Sequence, residues 1–259
     1  RPLPLAPAAI EACLDLALPP DGTRLVTIRA DADAIGAMAL LELRAQGARP
    51  DEPMRARIAG IAATDRHDRG RWPGPRALPN GYAPLSGVGP GLTARVLGLC
   101  AADRGAALED RVGTFLRYLS RGTLPERYKT RAAESADRLT RSLDVGATRV
   151  TSVAGGRIAV VISLEPAALR LGYLLAPVVA ALNPAWTFPS GDIGRKYTVA
   201  RWHEDDGDLT VFGERIAALE PGWGGQHGIK GSPQNRPSRL SVEQIVRLLE
   251  GSLCCAWAA

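Results

Sequence analysis

The stretch Leu25-Val-Thr-Ile-Arg29-Ala-Asp31-Ala-Asp33-Ala-Ile-Gly-Ala37 constrains this chain more than any other. A short apolar, β-branched run stops at two carboxylates one residue apart, and an alanine- and leucine-rich helix pattern follows. The spacing predicts a strand over 24–29 and a helix over 34–46, with Gly47 just past the helix end. Residues i and i+2 at the end of an extended strand project to one side, so Asp31 and Asp33 are expected to aim four oxygens at one point. Hard divalent cations such as Mg²⁺ and Mn²⁺ take oxygen ligands of this kind. In open α/β folds, ligands collect at the C-terminal ends of strands. The competing reading is structural: one Asp caps the helix and its neighbour is solvated.

A chain of 259 residues with 46% hydrophobic content can bury one large core or two ordinary ones. No run approaches the roughly 20 apolar residues of a membrane span. The most apolar stretch, Leu169 to Leu182, is interrupted by Pro177. Arg1 opens a Pro/Ala segment rather than a charged and then apolar leader. Cys13, Cys100, Cys254 and Cys255 have neither zinc-finger spacing nor the look of a disulfide framework. A cytoplasmic protein is expected, with no membrane partner; a homodimer is compatible with the sequence. The formal net charge of +5 rests almost wholly on arginine, with lysine only at 129, 196 and 230. It favours a phosphate-bearing ligand without specifying nucleic acid.

Along the chain, a helix is expected over 8–18, closed by the Pro19-Pro20-Asp-Gly turn. Another follows over 51–63, leading into a charged loop, and residues 73–91 are dense in Pro and Gly. Helical patterns recur at 92–102, 108–121 and 125–143, the last charged on most faces. After Gly146 the character changes. Residues 149–153 and 157–164 read as a hairpin around Gly155-Gly156. A helix over 166–182, strands near 196–202 and 208–212, and an acidic turn at 204–208 with His203 beside it are expected next. Ser241-Val-Glu-Gln244 is a capping box opening a final helix that runs to Gly251. The expected fold class is α/β in two domains: a helix-rich N-terminal α/β domain at 1–124, a helical linker at 125–146, and a smaller mixed α/β domain at 147–259.

Two further constellations carry chemistry. Thr64-Asp65-Arg66-His67-Asp68 gathers two carboxylates and an imidazole; with Asp31 and Asp33 these could share a metal and activate water, or be surface pairs worth little. Glu220 to Pro233 holds five glycines in the ten residues 222–231. Such a loop lets backbone N–H groups approach an anion, while His227, Lys230 and Ser232 bind phosphate oxygens. The alternative is a plain flexible loop, against which Trp223 argues. Upstream, the strand segment Arg195-Lys196-Tyr197 with Arg201 is expected to add positive charge to the same pocket through its Arg and Lys side chains. Gly87-Val-Gly89-Pro-Gly91 is a weaker phosphate nest, and the Cys254-Cys255 pair beside Trp257 reads as packing.

Taken together, these residues resemble the DHH phosphoesterase superfamily. Arg29-Ala-Asp31-Ala-Asp33 looks like its first motif, a histidine followed by two alternating aspartates. Gly224-Gly225-Gln226-His227-Gly228 looks like its C-terminal Gly-Gly-His element. Residues 64–72 look like a later motif in which an Asp shortly precedes a Trp. Arg29 replaces the family's histidine, and no Asp-His-His triplet occurs. The resemblance implies a metal-dependent phosphohydrolase acting on a nucleotide, short oligonucleotide or small phosphoester. Asp31, Asp33, Asp65 and Asp68 would hold Mn²⁺ or Mg²⁺, with His67 in support and water as nucleophile. Arg29, Arg195, Lys196, Gly224, Gly225, His227, Lys230 and Ser232 would hold the substrate. A guanidinium cannot coordinate a metal, so Arg29 equally implies a catalytically silent module that binds a phosphorylated ligand or nucleic acid. A small-molecule enzyme using the same framework for non-phosphate chemistry is a third reading.

Overall fold

The computed structural model describes residues 7–20, 22–27, 30–68 and 91–253. Arg29, Trp72, Gly87, Gly89 and the Cys254-Cys255 pair lie outside the described residues, as do the side chains of His67 and Asp68. The described residues up to 66, with 91–133, form one compact unit; residues 134–253 belong to a second. No helix among the described residues is long and apolar enough to cross a membrane.

The first unit is built from helices: α1 (Ala9–Ala12), α2 (Ala32–Ala45), α3 (Glu52–Asp68), α4 (Leu92–Ala102), α5 (Leu108–Arg121) and the first part of α6 (Glu126–Asp144). Helix α2 is the hub, and Ile35, Ala39 and Leu40 on it are fully buried. Ile58 and Ile61 of α3, Val96 and Leu97 of α4, Phe115 and Leu119 of α5, and Tyr128 of α6 complete this core. The expected strand over 24–29 does not form in its described part, residues 24–27. Val26 is 78% exposed, so the apolar run is not used as a buried strand, and strand composition alone does not make a sheet. This unit therefore has no strand among its described residues, where an α/β arrangement was expected. Helix α1 stops at Ala12 rather than 18, and α3 runs on through residues 64–68, where a loop was expected. A hydrogen bond of Thr64 Oγ1 to the Gly60 carbonyl and an ion pair between Arg66 and Glu11 hold that last turn.

The second unit is a mixed five-stranded sheet in the order β1 (Arg149–Val153), β2 (Ile158–Ile162), β3 (Val178–Thr187), β4 (Ile193–Arg201), β5 (Ile229–Gly231). Strands β2 and β3 are parallel and the other neighbours antiparallel. The hairpin expected around Gly155-Gly156 is the β1–β2 pair. The expected helix over 166–182 is instead a short helical turn, α7 (Leu169–Gly172), followed by β3. Pro177 cannot continue a helix, its carbonyl accepts from Trp202 N–H at 2.9 Å, and the β-branched Val178 and Val179 then pair with β2. Gly172 lets α7 lie against the sheet: a Cβ there would sit 2.5 Å from Val179 Cγ1. The strand expected at 208–212 is the start of α8 (Thr210–Leu219), since Leu209, Phe212 and Ile216 share the helical spacing and are fully buried. The closing helix, α9 (Val242–Leu253), begins at the expected capping box: Gln244 N–H donates to Ser241 Oγ (3.3 Å) and Ser241 N–H to Gln244 Oε1 (2.8 Å).

Both sheet faces are covered, so β2 and the start of β3 read as continuous apolar runs. On one face Ile158, Val178, Ala180, Leu182, Tyr197 and Val199 pack beneath Phe212 and Ile216 of α8, Trp223, and Ile245 and Leu249 of α9. On the other, Ala159, Val161, Val179 and Ala200 meet Leu171 of α7 and Leu139 of α6.

Candidate anion-binding site

The two leading acids sit in the first unit and act on helix ends. Asp31 is the residue before α2, and its Oδ1 accepts from Ala34 N–H at 2.9 Å. Asp33, 5% exposed, accepts from Ala9 N–H (2.8 Å) and Ile10 N–H (2.9 Å) at the start of α1. The geometric premise of two carboxylates on one strand end thus gives way to two acids serving two different helices. The unpaired backbone N–H groups at a helix start attract such oxygens. Asp65 lies on α3. Among the described residues, no group of three or more His, Cys, Asp or Glu side chains is placed to hold a metal ion.

The glycine-rich segment lies in the second unit and is tightly built. Its anchor is Glu220, 4% exposed, which accepts from Trp223 Nε1, Ser238 Oγ and Arg239 N–H, each at 2.7 Å. Burial pushes the carboxyl pKa up, but these three donors and the nearby Arg236 charge outweigh that and hold it below the usual value. Gly224 and Gly231 bridge to each other. Gly225 has φ +127°, and a Cβ there would fall 2.3 Å from the Ile229 carbonyl oxygen. Its freedom therefore serves a close approach of the chain to itself.

The expected phosphate ligands of this segment are similarly engaged. Ser232 is fully buried, with its Oγ accepting from Tyr197 N–H at 2.9 Å. Lys230 Nζ donates to the Gly225 carbonyl at 3.2 Å. Lys196 Nζ donates to the carbonyls of Ser232 and Pro233, both at 2.9 Å, and burial pushes its pKa down. His227 is in the turn before β5, and its carbonyl accepts from the N–H of Leu209, the residue before α8, at 2.9 Å. His203 is the turn residue the sequence implied, its Nδ1 accepting from Asp205 N–H at 3.3 Å.

What this construction does present to solvent is arginine. The Glu220 anchor fixes 236–239 against the outer end of β4, where Ser238 N–H donates to the Arg195 carbonyl at 2.9 Å. Between them runs a groove of about 560 Å³ lined by Pro184, Gly194, Arg195, Arg236, Pro237, Ser238 and Arg239. Arg195 Nη2 reaches the Arg239 carbonyl at 3.4 Å, and Arg236 Nη2 reaches the Pro221 carbonyl at 2.7 Å. Among the described residues, none of these three guanidiniums has a carboxylate within ion-pair distance. Each keeps several of its five donors for a ligand. Sequence reasoning named Arg195 but passed over Arg236 and Arg239. The signal available was the Arg236-Pro-Ser-Arg239 spacing directly after the glycine-rich run.

Three arginines lining one groove supply the donor type that suits the planar, multi-oxygen geometry of phosphate or carboxylate. No protein-family model matches the sequence, and no curated protein matches it.

Proposed function

We propose that this chain binds a phosphorylated ligand, a nucleotide or short oligonucleotide, and that the groove of Arg195, Arg236 and Arg239 is where it does so. The observation that carries the reading is the gathering of three arginines along one groove, none with a carboxylate within ion-pair distance among the described residues, while Glu220, the acid whose charge Arg236 feels, is buried on three other donors. Like charges so placed repel one another unless an anion joins them, and phosphate oxygens fit the guanidinium fork in pairs. Charge-assisted hydrogen bonds of this kind are about twice as strong as neutral ones. The DHH-like two-domain plan stands within this reading as its catalytically silent form, in which the phosphate-binding half is kept. The hydrolase form would need Asp31 and Asp33 to turn from helix ends to a shared Mn²⁺ or Mg²⁺, so the binding form asks less of the residues.

Fluorescence anisotropy with a labelled, 5′-phosphorylated oligonucleotide tests this directly. Arg195→Ala combined with Arg239→Ala, both exposed positions, should weaken binding by at least tenfold while thermal unfolding is unchanged. Equal affinity in the double variant would remove the groove from the function. Release of a mononucleotide on addition of Mn²⁺ would show turnover and restore the hydrolase reading.

A further inference from the structure

Arg195 and Lys196 are neighbours on β4, so their side chains leave on opposite sides of the sheet. The groove takes Arg195. Lys196 lines a separate cavity of about 390 Å³ on the other face, together with Val161, Ala181, Asn183, Trp186 and Thr198. From these residues we infer a second binding site, for a small planar molecule carrying one anionic group, a carboxylate or a phosphate. The inference is independent of the groove and stands on a different face, a different cation and a different kind of wall.

Position comes first. The cavity lies at the C-terminal end of the parallel β2–β3 ladder, over Val161 of β2 and Ala181 and Asn183 of β3, bounded by the chain leaving β2 at Ser163 and Glu165. That is where ligands gather beside parallel strands. The cause is local. Gly172 seats α7 over the middle of these strands, and β3 and β4 then run on past its cover into a long hairpin. The β3 register shifts between Asn183 and Trp186. Pro184 has no ladder donor, and Asn183 Oδ1 accepts from Ala185 N–H at 3.0 Å. This irregularity leaves Trp186 at the cavity edge, 38% exposed.

Chemistry comes second. A volume near 390 Å³ is in the range of small-molecule sites, whose walls are mostly apolar with a few convergent polar groups. Lys196 has two of its three N–H donors on carbonyls, leaving one. Among the described residues it has no carboxylate within ion-pair distance. A half-buried ammonium without a counter-charge is costly, and an anionic ligand group would supply that charge. Glu165, the acid in the lining, is already paired with Arg138 at 3.6 Å. The Thr198 hydroxyl and the Trp186 indole N–H have no hydrogen-bond partner among the described residues, and both can meet ligand acceptors. The indole face of Trp186 offers a stacking surface for a flat ring.

The test is an ¹⁵N NMR titration of the full chain with indole-3-carboxylate and adenosine monophosphate. Neutral indole, adenosine and inorganic phosphate serve as comparators. The Trp186 indole N–H signal is identified by its loss in Trp186→Phe. An anionic ring compound should shift that signal and the Thr198 amide, and at least one should bind tenfold more tightly than its neutral counterpart. Lys196→Met should abolish that preference. Because Lys196 also holds two carbonyls, Ala181→Leu, which fills the cavity from its wall, provides the second variant. It should reduce ring-compound affinity tenfold while oligonucleotide anisotropy at the groove is unchanged. No shift at Trp186 with any ring compound overturns the site, as does equal binding of charged and neutral rings. Inorganic phosphate acting alone at Lys196, without Trp186, overturns the ring-binding part. Unaltered affinity in Ala181→Leu removes the cavity.

Discussion

Glu220 shows how a single buried acid organises the surface around it. It bonds Ser238 Oγ and the Arg239 N–H, and so holds the one segment that carries both Arg236 and Arg239. Its three donors are charge-assisted, so Glu220→Gln should cost about 2 kcal/mol of stability at neutral pH. The pH dependence follows from its lowered pKa. An acid whose folded pKa lies below the unfolded value contributes in full above the unfolded value, about 4.3. That contribution is lost as pH falls through the lower folded value. Urea denaturation should therefore show a gap between wild type and Glu220→Gln at pH 7 that closes on acidification below pH 4. A gap independent of pH would mean that packing, not charge, is the cause. Asp33 poses the opposite case, an acid whose position was legible and whose partner was not. The spacing of Asp31 and Asp33 singled both out, but the N–H groups of Ala9 and Ile10 lie more than twenty residues away and leave no local trace. Asp33→Ala should cost about 1–2 kcal/mol through loss of the α1 cap. Thermal unfolding of wild type should be the same with Mn²⁺ or with chelator. A rise in Tm on adding Mn²⁺, absent in Asp33→Ala, would return this residue to a metal site.

At the scale of elements, sequence reading succeeded where one local rule dominates. The α9 capping box and the α5 and α6 patterns are written in a few adjacent residues. It failed where partners decide. Leu169 to Leu182 is apolar enough for a helix, and what divides it is the pairing of Val178–Leu182 with β2. Residues 24–27 have strand composition and are not in a strand. The groove and the cavity both depend on the β3–β4 hairpin, whose first strand the sequence did not disclose, so Pro184 of the groove and Ala181, Leu182, Asn183 and Trp186 of the cavity were hidden with it. The contact that sets this architecture can be tested at Gly172. An added methyl would meet Val179 Cγ1 at 2.5 Å and Val161 Cγ2 at 3.0 Å. Gly172→Ala should then destabilise by about 1–3 kcal/mol through overpacking. In a Val179→Ala background most of that cost should vanish, giving a coupling of at least about 1 kcal/mol in a double-mutant cycle. Additive losses would mean that α7 shifts freely and does not fix the strands beneath it.

For the whole molecule, the question is whether the +5 charge or one local arrangement of it draws a ligand. Net charge is legible in any sequence; its distribution is not, because Arg195 and Arg236 are some forty residues apart and meet only after β4 and the Glu220 anchor are in place. The charged face of α6 illustrates the difference, as Lys129 pairs with Glu126 at 3.0 Å and Arg138 with Glu165. Such pairs cancel at long range and leave the groove as a local excess. Binding of an oligonucleotide releases counterions, so log K falls linearly with log salt, by about 0.7 for each phosphate neutralised on a single strand. If the groove is the site, Arg239→Ala should lower the magnitude of this slope by about 0.7, and Arg195→Ala by a similar amount. Arg121→Ala removes an exposed charge at the end of α5, in the other compact unit. It should leave the slope as it is, although it changes the net charge by the same single unit. Anisotropy titrations between 50 and 200 mM salt separate the two cases. Equal loss of slope from Arg121 and Arg239 would make the attraction a property of the overall charge, and the ligand would then need no groove.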